Sequence, residues 1–587
     1  MNWDLTYHFK NQEEFEKSLE EVNKLVEQFK EYEGKLSNEE YFVKYFLLTR
    51  KFENDASRVY QYASLKSDLN KKDVENAANL NRCRMALYAL SEVVSYAEPE
   101  IISIGEKKVM EFIDRNPEIA EFRFSLEKLF RRAKHVLDAS SEKLLSLYAP
   151  ITSSAAELYS ALAVGDGKNQ EVKLKNKKVV TVTQGNYRSL IASSDNATDR
   201  KKIFEAVFRT FDEHKTTYAT IYNNVLQTNK ATSKARNYDS VLESYLYNDN
   251  IPTKVFTNLI EVAGKYNKSL KKYIRLRKKY LGLKQYHTYD RFLELAHSNK
   301  EYTYEEAKEL FFNSISQFPQ DFQDKAHEVL KDGFVDVMEK VGKRTGAYSS
   351  SVANLHPFIL LNFDNTLDSV FTVAHEAGHS IHSMYATQTQ PTMLQDYTIF
   401  VAEIASTFNE HTLLDYFLSL PDATKEEKIM VIQKAIDEIM GTFYRQTLFA
   451  EYEYLANNEV AKGNPINHQV LSQIMIDLYK KYYGLDITKE GVKQYVWAYI
   501  PHLFYTPFYV YQYATSFAAS FKIYKDVKEK VPGAFNRYIN LLKSGGSKYP
   551  VDQAKEAGVD FTKKDAYMAV VERMDNLVDE LEKLLNA

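Results

Sequence analysis

The sequence predicts a mainly α-helical protein carrying one small sheet, and three observations lead there. Glycine and proline number only 19 and 13 in 587 residues, each roughly half the average usage, and both interrupt helices. Apolar residues recur at helical spacing through most of the chain. Only two short stretches, 171–183 and 356–363, read as strands.

Composition narrows the function classes. Hydrophobic residues make up 44% and charged residues 27%, an ordinary globular mix that excludes a disordered tail, a fibre or a disulfide scaffold. A net charge of −4 offers no basic field to nucleic acid or to an acidic membrane. The lone Cys83 can form no internal disulfide, which suits a reducing compartment. The start, with Asp4, Lys10, Glu13, Glu14 and Glu16, lacks the apolar core of a signal peptide. The greasiest stretch, 497–513, is interrupted by His502, two prolines and Gln512, so no spanning helix is expected. The expectation is a soluble cytoplasmic protein with no nucleic-acid or membrane partner.

In order along the chain, 1–110 reads as a region of antiparallel helices. Phe15, Leu19, Val22, Val26 and Phe29 form one apolar stripe, and Tyr41, Val43, Phe46 and Leu47 begin another. Residues 111–190 form a looser helical region with a β-hairpin turning at Asn176-Lys177. A helical region, 191–587, completes the chain. Within it Gly346–Ser350 is expected as a loop and His356–Phe363 as a short strand.

The chemistry lies just after that strand. Asn365 or Thr366 can cap a helix whose buried stripe is Val370, Ala374, Ala377, Ile381 and Met384. Beside the stripe, His375 and His379 are four residues apart, so their imidazoles project from one face and can grip one ion. Glu376 falls at the flank, where a carboxylate can take a proton from water. This H-E-x-x-H spacing belongs to zinc hydrolases. Two residues compete as third ligand. His382 shares the face, but three ligands on one straight helix span about 10 Å, too far for bonds near 2 Å to one ion. Glu403 stands beside the stripe Val401, Ile404, Ala405 and Phe408, on a second helix able to pack against the first. It is the preferred ligand, with His382 lining the site or supporting a ligand. Glu410, two turns on, is a candidate outer partner of a metal-bound histidine.

Downstream, His502, Tyr505, Tyr509 and Tyr513 are spaced 3, 4 and 4. On a continuous helix they make one polar-tipped ridge of donors for an oxyanion, with Tyr511 pointing away. Pro507 instead allows His502 and Tyr505 to lie on an approach loop.

The segments Thr366–His382 and Ala402–Thr407 resemble the oligoendopeptidase F family, zinc peptidases related to thimet oligopeptidase. Gly346–Ser349, Ile359–Phe363 and His502–Tyr513 are similar to that family's upstream loop and strand and to its aromatic segment. The resemblance implies a two-lobed helical zincin-type fold, a deep substrate channel, restriction to oligopeptides, and Glu403 as third ligand. The expected function is therefore a zinc-dependent endopeptidase acting on short peptides. It would hold one zinc per chain on His375, His379 and Glu403, with Glu376 as base and His502 plus Tyr509 or Tyr513 steadying the oxyanion. Tyr505 would line the site, and the strand through Phe358, Ile359, Leu360 and Leu361 would pair with the substrate backbone. Two rivals stand beside it. One is a metallocarboxypeptidase whose Arg445 holds a terminal carboxylate. The other is a peptide-binding scaffold with structural zinc, which lacks a cysteine nearby to close the coordination sphere.

Overall fold

Two small sheets interrupt an otherwise helical chain in the structure, a computed structural model that describes residues 2–587. The first long helix, Gln12–Gln28, starts where the Asn11 side chain accepts from the Glu14 amide, and it buries Phe15, Leu19, Val22 and Val26 as expected. The next, Glu39–Leu69, departs from the expected stripe. Tyr41 and Leu47 are exposed, and the buried face is Phe42, Val43, Tyr45 and Phe46. Phe42 packs on Phe112 and Tyr45 on Phe29, so neighbours on two sides widen the buried arc and shift its centre.

The hairpin pairs β1 (Gln170–Lys173) with β2 (Val179–Val182), Gln170 opposite Val182 and Lys173 opposite Val179. Its turn places Lys177 at φ 67°, and the Asn176 side chain accepts from the Lys178 amide.

The second sheet holds β3 (Val335–Met338), β4 (Tyr348–Ser350) and β5 (Phe358–Phe363) in the order β3-β5-β4. It corrects two expectations. Part of the expected loop Gly346–Ser350 is strand β4, whose half-buried polar residues carry no apolar alternation to announce it. In addition, β5 is the central strand, parallel to β3 and antiparallel to β4. Both its edges are engaged, so Phe358, Ile359, Leu360 and Leu361 have no open ladder to offer a substrate. Their side chains are buried, which explains why the run reads as a continuous apolar strand.

The described chain groups into two compact units, each assembled from three stretches. One takes the chain up to Lys134, Asn299–Leu420 and Ala519–Val559; the other takes His135–Ser298, Pro421–Ala518 and Asp560–Ala587. The three-stranded sheet falls in the first and the hairpin in the second. No described helix is long and apolar enough to cross a membrane.

Candidate active site

The first unit builds the histidine site from two helices in close contact. The motif helix, Leu367–Thr389, begins at Thr366, whose hydroxyl accepts from the Ser369 amide at 3.2 Å. Val370, Ala374, Ala377 and Ile381 are fully buried and Met384 nearly so. Against it lies the carboxylate helix, Ile399–Ser419, burying Val401, Ile404, Ala405 and Phe408. Gly378 permits the approach: a Cβ there would stand 2.5 Å from the Ala405 carbonyl oxygen and 2.6 Å from Ser406 Cα. Asn409 Nδ2 donates to the Ala374 carbonyl at 3.0 Å and locks the helices in register. The Ser349 and Ser380 hydroxyls, 2.8 Å apart, tie the motif helix to β4.

That packing brings three donor atoms together. His375 Nε2 and His379 Nε2 are 3.2 Å apart, and each lies 3.4 Å from Glu403 Oε2. Among the described residues they form the one histidine–carboxylate group able to hold a metal ion. Four donors at tetrahedral angles with bonds of about 2.0–2.1 Å stand about 3.3 Å apart, so the three separations fit such an ion. His375 Nδ1 is hydrogen-bonded to Glu410, which leaves its Nε2 lone pair facing the site. Ser406 Oγ donates to Glu403 Oε2 at 2.9 Å. Burial raises the Glu403 pKa, but the His379 hydrogen bond and the nearby histidine charges outweigh it and bring the carboxyl down to about 2.

Glu376 is buried beside them, its Oε2 without a hydrogen-bond partner among the described residues. Burial holds its pKa above the usual carboxylate range, against the pull of His375 and His379. His382 stands apart from the donor group. Its ring stacks on Tyr397 at 3.6 Å, and burial pushes its pKa down to about 3. Gly378, Ser406, Asn409 and Tyr397 were missed in the sequence. Only Ser406 carried a signal, three residues from Glu403 and thus on its face.

The second unit holds the aromatic group. His502–Tyr505 is a short helix, Phe508 turns the chain at φ 55°, and the next helix begins at Tyr511. The ridge is therefore not one helix. Even so, the turn gathers three of its members: His502 lies 6.0 Å from Tyr509 and 6.3 Å from Tyr513, and the two tyrosine rings are 5.5 Å apart. Tyr505 is 44% exposed and packs on Tyr159 instead. Tyr511 is buried against Phe256.

A helical body with two histidines one turn apart, a carboxylate converging on them from a second helix and a flanking glutamate has the make-up of a metallopeptidase site. The chain belongs to peptidase family M3, whose model matches residues 190–572, and an Oligopeptidase F model matches residues 100–168. It is 33% identical to oligopeptidase PepF of Bacillus subtilis, over 99% of this chain and 87% of that protein. The crystal structure of a peptidase from Chlamydophila abortus superposes with a TM-score of 0.90 at 31% identity, covering 99% of this chain and 98% of that one. Oligoendopeptidase-F from Enterococcus faecium gives a TM-score of 0.76 at 27% identity over 98% and 99%. The protein is a metalloendopeptidase that hydrolyses oligopeptides, and the family implies a catalytic metal.

Proposed function

We propose that His375, His379 and Glu403 hold a single zinc ion and that Glu376 is the general base for cleaving internal bonds of short peptides in the cytoplasm. The convergence of three donor atoms beside a buried carboxylate with a free oxygen carries this reading. Two imidazoles and one carboxylate suit zinc, whereas calcium and magnesium favour all-oxygen sets. Zinc, when bound, supplies Lewis-acid polarisation of the scissile carbonyl and acidifies a water molecule. Glu376 Oε2 accepts that water's proton and then passes it to the leaving amine. Glu410 keeps His375 in the tautomer that presents Nε2, and Ser406 orients Glu403. His502 with Tyr509 or Tyr513 donates to the oxyanion formed at the carbonyl carbon. Substrate backbone would pair with β4, an edge strand, because β5 is enclosed. A reducing cytoplasm agrees with the single buried thiol, Cys83.

The test combines metal analysis with cleavage of an internally quenched peptide. Chelation should abolish internal cleavage and added zinc restore it. Glu376→Gln should keep one zinc per chain while turnover falls by about 10²–10⁴-fold, because a proton acceptor is lost and no ligand is. Turnover within tenfold of wild type would remove Glu376 from the role.

A further inference from the structure

The second unit contains a cavity walled by four cations: Arg188, Arg291, Arg445 and Lys493. Local structure aims two of them inward. The helix Lys425–Glu438 passes through a π-helical turn, Ile439–Tyr444, before continuing as Arg445–Ala461. A π turn brings residues five apart onto one face, so Met440 and Arg445 both line the cavity. Gly491, at φ 58° and ψ −86°, kinks the segment Ile487–Tyr495 just before Lys493, a conformation open to glycine.

None of the four makes an ion pair with a carboxylate among the described residues, and each instead leans on aromatic rings. The Lys493 side chain is only 8% exposed, its ammonium 5.3 Å from the centres of both the Phe208 and Tyr479 rings. The nearby acid, Glu490, spends both carboxylate oxygens on Thr288, at 2.8 Å to its amide and 2.6 Å to its hydroxyl. Burial, reinforced by Arg445, pushes the Lys493 pKa down. Lys493 is buried, Arg291 and Arg445 are half-buried, and Glu490 is the one acid acting on Lys493, so gathering these cations is costly and the site favours an anion that enters.

Size and shape select the anion. The cavity offers about 40 Å³ to the centre of a water-sized sphere, a few water positions. That is room for an oxyanion and too little for a nucleotide. Guanidinium groups present forked donors that match oxyanion geometry, which a spherical halide cannot use. We propose that this cavity is a binding site for a small oxyanion, which Arg445, Arg291 and Lys493 hold. Its source is either a free inorganic ion of phosphate type or the carboxylate end of a short peptide.

Calorimetric titration of inorganic phosphate into the full-length holoenzyme, with chloride balancing ionic strength, tests this. Wild type should show saturable one-site binding. Arg445→Gln and Lys493→Met should each weaken it by about ten- to a hundredfold, the loss expected for a hydrogen bond to a charged group. Their Tm without phosphate should hold or rise, since one of several like charges is gone. A merely structural lysine or arginine would instead lower Tm and leave phosphate binding alone. If Arg445→Gln does not fold, the half-buried Arg291→Gln replaces it. A second arm titrates a short peptide acid and its C-terminal amide into the Glu376→Gln enzyme. Binding of the acid alone, without phosphate binding and with loss in the same variants, assigns the site to a peptide carboxylate. Phosphate binding that is equal in wild type and all variants overturns the proposal, because an ion held at the metal would be indifferent to Arg445. Failure of both anions to bind at millimolar concentration overturns it equally.

Discussion

Single residues decide whether the aromatic group takes part in catalysis. A phenol that donates only to the oxyanion contributes to the transition state and not to ground-state binding. Tyr513→Phe or Tyr509→Phe should therefore lower kcat by about 10²–10³-fold, roughly 3–4 kcal/mol, with little change in KM and full metal content. Tyr511→Phe is the control, since Tyr511 is buried against Phe256 away from the His502 group. Steady-state kinetics decide: damage from Tyr511→Phe with both others near normal would mean the wrong phenols were chosen. Residue-scale chemistry was partly legible in the sequence. His375, His379 and Glu376 stand out through spacing on one helix. Ser406 reaches Glu403 within its own helix, whereas Glu410 acquires its partner His375 only once two helices have packed.

Secondary-structure elements meet at Gly378, where the motif helix lies directly against the backbone of Ala405 and Ser406 on the carboxylate helix. Gly378→Ala would place a methyl against backbone atoms that no rotamer change can move. The helices must part, and overpacking of this kind costs about 1–3 kcal/mol. Because Glu403 lies on the opposing helix, metal affinity should fall together with Tm, as metal analysis after dialysis and thermal unfolding would record. Loss of stability with full metal retention would show that the donors tolerate the separation. A second element-scale prediction concerns His8, which is 1% exposed. It joins the N-terminal segment to the helix Glu39–Leu69 through Gln61 at 2.7 Å and packs against β5 at Phe358. Burial pushes its pKa down to about 4, so below the free value near 6.5 the unfolded chain binds the extra proton first. Its contribution is then complete above about pH 6.5 and is lost as pH falls toward 4, amounting to about 3 kcal/mol. Unfolding of His8→Gln against wild type across that range should show a flatter acid limb in the variant. Parallel curves would contradict the assignment.

For the molecule as a whole, the question is which substrates reach the metal. If the site is enclosed, as the family resemblance implies, a peptide of about ten residues can thread to it and a long chain cannot. Mass spectrometry should then find internal cuts in the short peptide while intact casein persists under the same conditions. Rapid breakdown of casein into many fragments would exclude size selection.

The sequence by itself determined the helical class, the hairpin, the motif helix with its buried stripe, and the pairing of two histidines with an adjacent glutamate. These follow from periodicity and short-range spacing, which are properties of a local stretch of chain. Tertiary structure alone decided the rest. Strand β4 is stabilised by its neighbour and not by its own pattern. The buried face after Asn38 is shifted by Phe29 and Phe112, which pack on two sides. The aromatic group survives a broken helix because the turn at Phe508 carries Tyr509 back to His502. The cationic cavity draws Arg188, Arg291, Arg445 and Lys493 from positions far apart in the chain. Long-range packing brings such groups together, and no spacing rule records it.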